Sequence, residues 1–146
     1  MIQIKQKCDF SEKSYGHPPA GKPVSIGDIG YVPMPVVTVD TNVKEVDPSV
    51  AKTISENVAK CLKKPETYVM VQLNPGKNMC FSGTSDPCAL MQIRSIGAIS
   101  KESNNAGAAV LTKVLSEQLG VDSSRIFIEF FDVNGQNLAL NGSTLR

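Results

Sequence analysis

From residue 34 onward the apolar positions follow two alternating periods. "PVVTVDT" (35–41) alternates every second residue and predicts a strand. Val50, Ile54, Val58 and Cys61 with Leu62 then recur at three- and four-residue spacing, the mark of a helix with one buried face. Asp47 stands at the N-cap of that helix, and Pro48 at its first position, where a missing N–H leaves nothing unpaired. Lys64-Pro65 ends it, because a residue before proline avoids the α region. "TYVMVQL" (67–73) and "CALMQIRSI" (88–96) predict two more strands. "SNNAGAAVLTKVLSEQLG" (103–120) predicts a second helix, with Val110, Leu111, Val114 and Leu115 turned inward and Gly120 as its stop. "RIFIEFF" (125–131) is the fourth strand.

The order is β-α-β twice. Right-handed crossovers place both helices on the same face of one four-stranded sheet, so the fold class is α/β (α+β) with a tandem βαβ repeat and a mixed sheet. The strands read as apolar at both parities: Ile126, Ile128 and Phe130 point one way, Phe127 and Phe131 the other. Two helices cover one face only. The second face therefore requires a partner, and self-association is the simplest source of one.

Residues 1–33 have another texture. They hold four of the nine prolines and four of the eleven glycines with little apolar periodicity, too little to offset the entropy of ordering them. They read as a flexible N-terminal extension, a cloning remnant or an over-long gene reading, in front of one domain at 34–146. The junction "GYVPMPVV" sharpens the point, since Met34-Pro35 looks like the start of a mature chain from which the methionine is removed.

Composition narrows the chemistry further. The net charge is +1, with charges scattered along the chain, so neither a basic nucleic-acid surface nor an acidic tail is indicated. The apolar runs are too short to span a bilayer, and "MIQIKQKCDF" lacks the apolar stretch of a secretory signal. Cys8, Cys61, Cys80 and Cys88 form no CxxC pair and make a poor zinc set with one histidine, so reduced thiols in the cytoplasm are expected. That histidine, His17, sits in the extension, which leaves Ser-His-Asp and Cys-His catalysis without a base. No Walker loop or GxGxxG motif occurs, and Asn141-Gly142-Ser143 reads as a surface turn rather than a glycosylation site.

What remains is Met-Pro before the first strand, Lys-Pro before the second and Ser-Ile-Gly after the third. With "MPVVTVDTNV", "KKPETYVMVQL", "MCFSGTSDPCAL", "RSIGAIS", "SRIFIEFFD" and "NGST", these make residues 34–146 resemble the macrophage migration inhibitory factor family of the tautomerase superfamily. The resemblance implies a homotrimer whose sheets wrap into a barrel, which would cover the second sheet face. It implies an active site at each subunit interface, where an N-terminal proline is the base for keto–enol tautomerisation of phenylpyruvate- or dopachrome-type substrates. No cofactor or metal is implied. Some members act as cytokines released by a non-classical route, so the alternative is a cytokine-like binding protein with a vestigial pocket and a protein receptor.

Carried over by position, Pro35 matches the catalytic proline, Lys64 the lysine that meets the substrate carboxylate, and Ile96 a residue whose backbone contacts substrate. Taken singly, Pro35 is also a rigid start to a strand, Lys64 a helix-end cation favoured by the dipole, and Ile96 plain core. The chemistry suits them as a set. A free α-amine titrates at about 8, and both desolvation by apolar walls and the charge of Lys64 push it toward a useful base at pH 7. There are departures. Phe127 replaces a pocket tyrosine and loses its hydroxyl; Glu129 replaces an asparagine and would repel an acidic substrate or raise the proline pKa. Leu140 replaces a pocket-edge tryptophan, and a redox CxxC of some members reads Cys88-Ala89-Leu90-Met91.

Overall fold

The computed structural model describes residues 34–145. The expected extension at 1–33, with Cys8 and His17, lies outside the described residues. In chain order the elements are β1 (Val36–Thr41), α1 (Ser49–Leu62), β2 (Met70–Asn74), β3 (Ala89–Ser95), α2 (Lys101–Leu119), β4 (Ile126–Asp132) and a short hairpin, β5 (Ala139–Leu140) with β6 (Ser143–Thr144). The main sheet has the order β2-β1-β3-β4. β1 runs parallel to β2 and β3 parallel to β4, while β1 and β3 are antiparallel, as two βαβ units joined side by side require.

Register decides which side chains meet the helices. Val37 and Val39 of β1 are level with Ile93 and Met91 of β3, and these in turn with Phe130 and Ile128 of β4. This layer, with Val71 and Leu73 of β2, packs against both helices and forms the core. α1 contributes Val50, Ile54, Val58 and Leu62. The helix begins at Ser49 with Pro48 at its N-cap, one residue later than expected, and Asp47 Oδ1 accepts a hydrogen bond from the Ser49 amide at 2.8 Å just ahead of it.

α2 differs from expectation in two ways. Its buried stripe is Gly107, Leu111, Leu115 and Leu119, spaced four apart, with Val110 and Val114 only half-buried at its flank. Gly107 marks the closest approach, since a Cβ there would lie 3.8 Å from the Phe130 ring and 3.9 Å from Cys61 Cβ. The helix also begins at Lys101, two residues before the predicted start. Ser100 and Ser103 form a reciprocal box, each hydroxyl accepting from the other's amide at 3.2 Å.

The opposite sheet face is the second correction. It is not uniformly apolar: Gln72, Thr38, Gln92 and Glu129 form one cross-strand row, and Asn74, Asp40, Leu90 and Phe127 another. The apolar residues sit toward the ends, with Met70 63% and Phe127 59% exposed. Alternating parity alone overstated the case, since all four strands carry polar residues at these positions.

α1 ends in a Schellman turn. Lys63 is left-handed (φ 54°), and the Lys64 amide donates back to Ala59 O at 2.9 Å. A lysine pays strain there that glycine avoids, offset in part by the larger backbone entropy glycine loses. We therefore expect Lys63→Gly to stabilise the fold by about 0.5–1 kcal/mol. Thermal unfolding checks this, and a lower melting temperature would show that the lysine side chain has a role the turn does not reveal.

Candidate active site

The chain reverses direction at Lys63, so that Lys64 leaves the end of α1 pointed across the sheet's end. Its ammonium donates to the carbonyl of Ile96 at 3.0 Å. Ile96 itself is 2% exposed and opens a strained loop in which Gly97 (φ 73°) and Ala98 (φ 60°) are both left-handed. Three contacts hold that loop. Ser95 Oγ donates to Gly97 O at 2.9 Å, the Gly97 amide donates to Asp132 Oδ1 at 3.0 Å, and Ser103 Oγ donates to Ala98 O at 2.9 Å.

Extending the β1–β3 register by one residue sets Pro35 opposite Ser95, beside Ile96. Pro35 is fully buried, and its carbonyl accepts from the Met70 amide at 3.0 Å. One end of the sheet thus gathers Pro35, Lys64 and Ile96. It also gathers Asp132, which sequence reasoning missed: it was legible only as the last letter of "SRIFIEFFD", and its bond to Gly97 spans 35 residues.

Burial pushes the Lys64 ammonium down to about 8, and the negative charge of Asp132 partly opposes that fall. The result is a cation near its titration point, held on a main-chain carbonyl. Charge-assisted contact with a carboxylate is stronger than contact with a neutral carbonyl, so an ammonium in this setting has the chemistry to bind an anion.

Phe127 and Glu129 are elsewhere in the chain. Phe127 is level with Asp40, five residues along β1 from Pro35 and two strands away. At about 3.3 Å per residue that is roughly 16 Å along the strand, plus roughly 10 Å across. Glu129 is level with Thr38 and lies roughly 10 Å along and 10 Å across, beyond about one Debye length of screening. Within one chain neither residue reaches Pro35. Leu140, exposed in β5, belongs to the C-terminal hairpin.

A separate open groove of about 380 Å³ lies between the end of α1 and the start of α2. Cys61, Leu62, Ile99 and Ser100 help line it, and none of Pro35, Lys64 or Ile96 does. Among the described residues, no three His, Cys, Asp or Glu side chains converge as metal ligands, and no helix is long and apolar enough to cross a membrane.

Comparison with known proteins fits this arrangement. The family model described as macrophage migration inhibitory factor (MIF) matches residues 34–146. The chain is 41% identical to the macrophage migration inhibitory factor homolog of Brugia malayi over 113 residues, 76% of this chain and 98% of that one. It is 39% identical to the homolog of Trichuris trichiura, again over 76% of this chain and 99% of the other. The crystal structure of the homologue from Prochlorococcus marinus superposes with a TM-score of 0.73 at 31% identity, covering 76% of this chain and 99% of that one. The matched stretch spans nearly the whole length of each of these relatives. With the βαβ repeat, the sheet order and the family match over the whole described region, the chain belongs to the macrophage migration inhibitory factor family of the tautomerase superfamily.

Proposed function

We propose that residues 34–146 form a homotrimer that catalyses cofactor-free keto–enol tautomerisation of small aromatic α-keto acids such as phenylpyruvate, with Pro35 as the base once its nitrogen is a free amine. The observation that carries this reading is the convergence of Pro35, Lys64 and Ile96 at one sheet end, with the Lys64 ammonium only 3.0 Å from the Ile96 carbonyl. In this reading Pro35 removes a proton from the carbon next to the ketone, and Lys64 holds the carboxylate and steadies the enolate charge. Phe127 and Glu129 come from the neighbouring subunit, because the single chain sets them too far from its own Pro35.

A second reading has its own support. Phe127 brings no hydroxyl, Glu129 brings a negative charge, and Leu140 brings no large ring, which suits a cytokine-like trimer that binds a protein receptor and turns nothing over. Absorbance of the enol of phenylpyruvate separates the two: decay accelerated by the chain from Pro35 supports the enzyme, and decay at the buffer rate supports the binding protein.

Assembly has a test of its own. Both readings expect a trimer in sedimentation at micromolar concentration, because the sheet face bearing Met70 and Phe127 is uncovered in one chain. A monomer at that concentration, binding no dye specific for exposed apolar surface, would overturn the trimer and with it the shared site.

A further inference from the structure

The loop from 75 to 88, between β2 and β3, is almost entirely exposed and has no regular structure apart from one tight turn. That turn pairs Phe81 with Thr84 through Ser82 (φ 53°) and Gly83 (φ 78°), both left-handed, as a type I′ turn requires. A turn of two pairing residues does not fix a fourteen-residue loop against thermal motion. The Gly76 and Lys77 amides tie its start to Val43 O and Thr41 O, and Asn42 Nδ2 donates to Ser85 O and Asp86 O near its end; the stretch around Phe81 is held by one side chain from a distant element.

Arg125 is placed by the turn at Ser123–Arg125 that precedes β4. Asp122 caps this turn, its Oδ1 accepting from the Ser124 amide at 2.9 Å, and the Arg125 amide closes it on Asp122 O, also at 2.9 Å. The guanidinium then reaches across to the loop and spends its donors on main-chain carbonyls. Nε donates to Pro87 O at 3.0 Å, Nη1 to Phe81 O at 3.1 Å, and Nη2 to Asp86 O at 3.0 Å and Thr84 O at 3.4 Å. The same group lies 5.1 Å from the centre of the Phe81 ring. Only a planar five-donor fork can serve four carbonyls and a ring face together.

The consequence falls on Phe127. Its ring meets Phe81 edge to face at 5.3 Å, and the residue is 59% exposed on the sheet face. The arginine therefore fixes an aromatic pair at the end of the chain opposite to Pro35, Lys64 and Ile96. We infer that Arg125 is a positioning residue which, through Phe81, sets the Phe127 ring as the wall that receives the aromatic ring of a substrate bound at the neighbouring subunit's Lys64, and so selects aromatic over aliphatic α-keto acids. This rests on the tautomerase reading for the site and on the trimer for its completion. Arg125 touches no substrate; its effect is on which side chain does.

The test uses the chain beginning at Pro35, as wild type, Arg125→Lys and Phe81→Leu. Exchange of the C3 protons of phenylpyruvate and of 2-oxobutyrate for deuterium is followed by proton NMR, which reads the same proton removal for both acids. Arg125→Lys keeps the charge and loses the fork. It is expected to raise KM for phenylpyruvate about tenfold, the upper range for loss of one aromatic contact, with kcat within about twofold. KM for 2-oxobutyrate should hold within about twofold, and Phe81→Leu should reproduce the pattern. Equal losses on both acids, or a fall in kcat at constant KM, would reduce Arg125 to a structural role and overturn the inference.

Binding of 3-phenylpropionate, which has no ketone to enolise, is measured alongside by the shift of the Phe127 ring signals. Wild-type binding weakened in Arg125→Lys, with no exchange on either acid, would remove the tautomerase reading and leave the positioning role standing. No binding of 3-phenylpropionate by the wild type would overturn the positioning role as well.

Discussion

Full-length chain is expected to show no proline-dependent tautomerisation, while the chain that begins at Met34, with that methionine removed, is expected to be active. In the long form the Pro35 nitrogen is a tertiary amide. Its lone pair is delocalised into the Met34 carbonyl, and the environment of a site tunes the basicity of an amine but cannot create one. Position adds to this: Pro35 is fully buried and Met34 half-buried in front of it, so the chain preceding Pro35 leaves from the site itself. General-base catalysis contributes about 10²–10⁴-fold, and a loss of that size is expected, leaving the long chain no faster than a short chain carrying Pro35→Gly. Folding should be nearly equal in the two, because the described core lies wholly within 37–130. Equal, robust rates in both, with an intact long chain by mass spectrometry, would show that catalysis does not use this amine.

The second large effect concerns Lys64. Lys64→Ala should lower kcat/KM for phenylpyruvate about tenfold to a hundredfold, the value of one charged hydrogen bond, and leave its methyl ester nearly unaffected. The pH profile carries the sign. The ammonium is pushed down to about 8, so above that pH the site loses the cation that meets the carboxylate. Rates on the acid should fall as pH rises through about 8, while the ester shows no such fall and Lys64→Arg, charged throughout, moves the limb away. Stability runs the other way. The depressed value means that the folded state binds this proton less tightly than the unfolded one, so the cost of burying the charge is present below pH 8 and is relieved between about 8 and the ordinary 10.5. An ester that suffers as much as the acid would remove Lys64 from carboxylate recognition.

Periodicity made most of the architecture legible. Val50, Ile54, Val58 and Leu62 needed nothing but spacing, and the four strands of the main sheet lie within one to three residues of their predicted limits. The misses share a cause: they depend on contacts between residues far apart in the chain, or on polar chemistry without a period. The start of α2 rests on a serine at the third helical position, where the usual signature has Glu or Gln. β5 and β6 are two residues each, too short for any alternation. Asp132 and Arg125 looked like the ordinary ends of a strand, yet each fixes a loop 35 to 44 residues away. Pro35, Lys64 and Ile96 were reached by resemblance rather than by chemistry, since no short motif marks a proline that works through its own nitrogen.

β2 and β4 are the outer strands of the sheet, and along each of them one row of amide and carbonyl groups faces away from every described neighbour. Edges of this kind invite pairing with another chain. If a second copy closes them, the free energy of folding ceases to be a property of one molecule and acquires a term in the logarithm of protein concentration. The melting temperature would then climb with each tenfold increase in protein, and a dilute sample would look intrinsically weaker than a concentrated one although every residue is the same. A substitution at Met70 or Phe127 could leave the single chain's interior untouched and still lower the melting point, by raising the concentration at which the assembled form prevails.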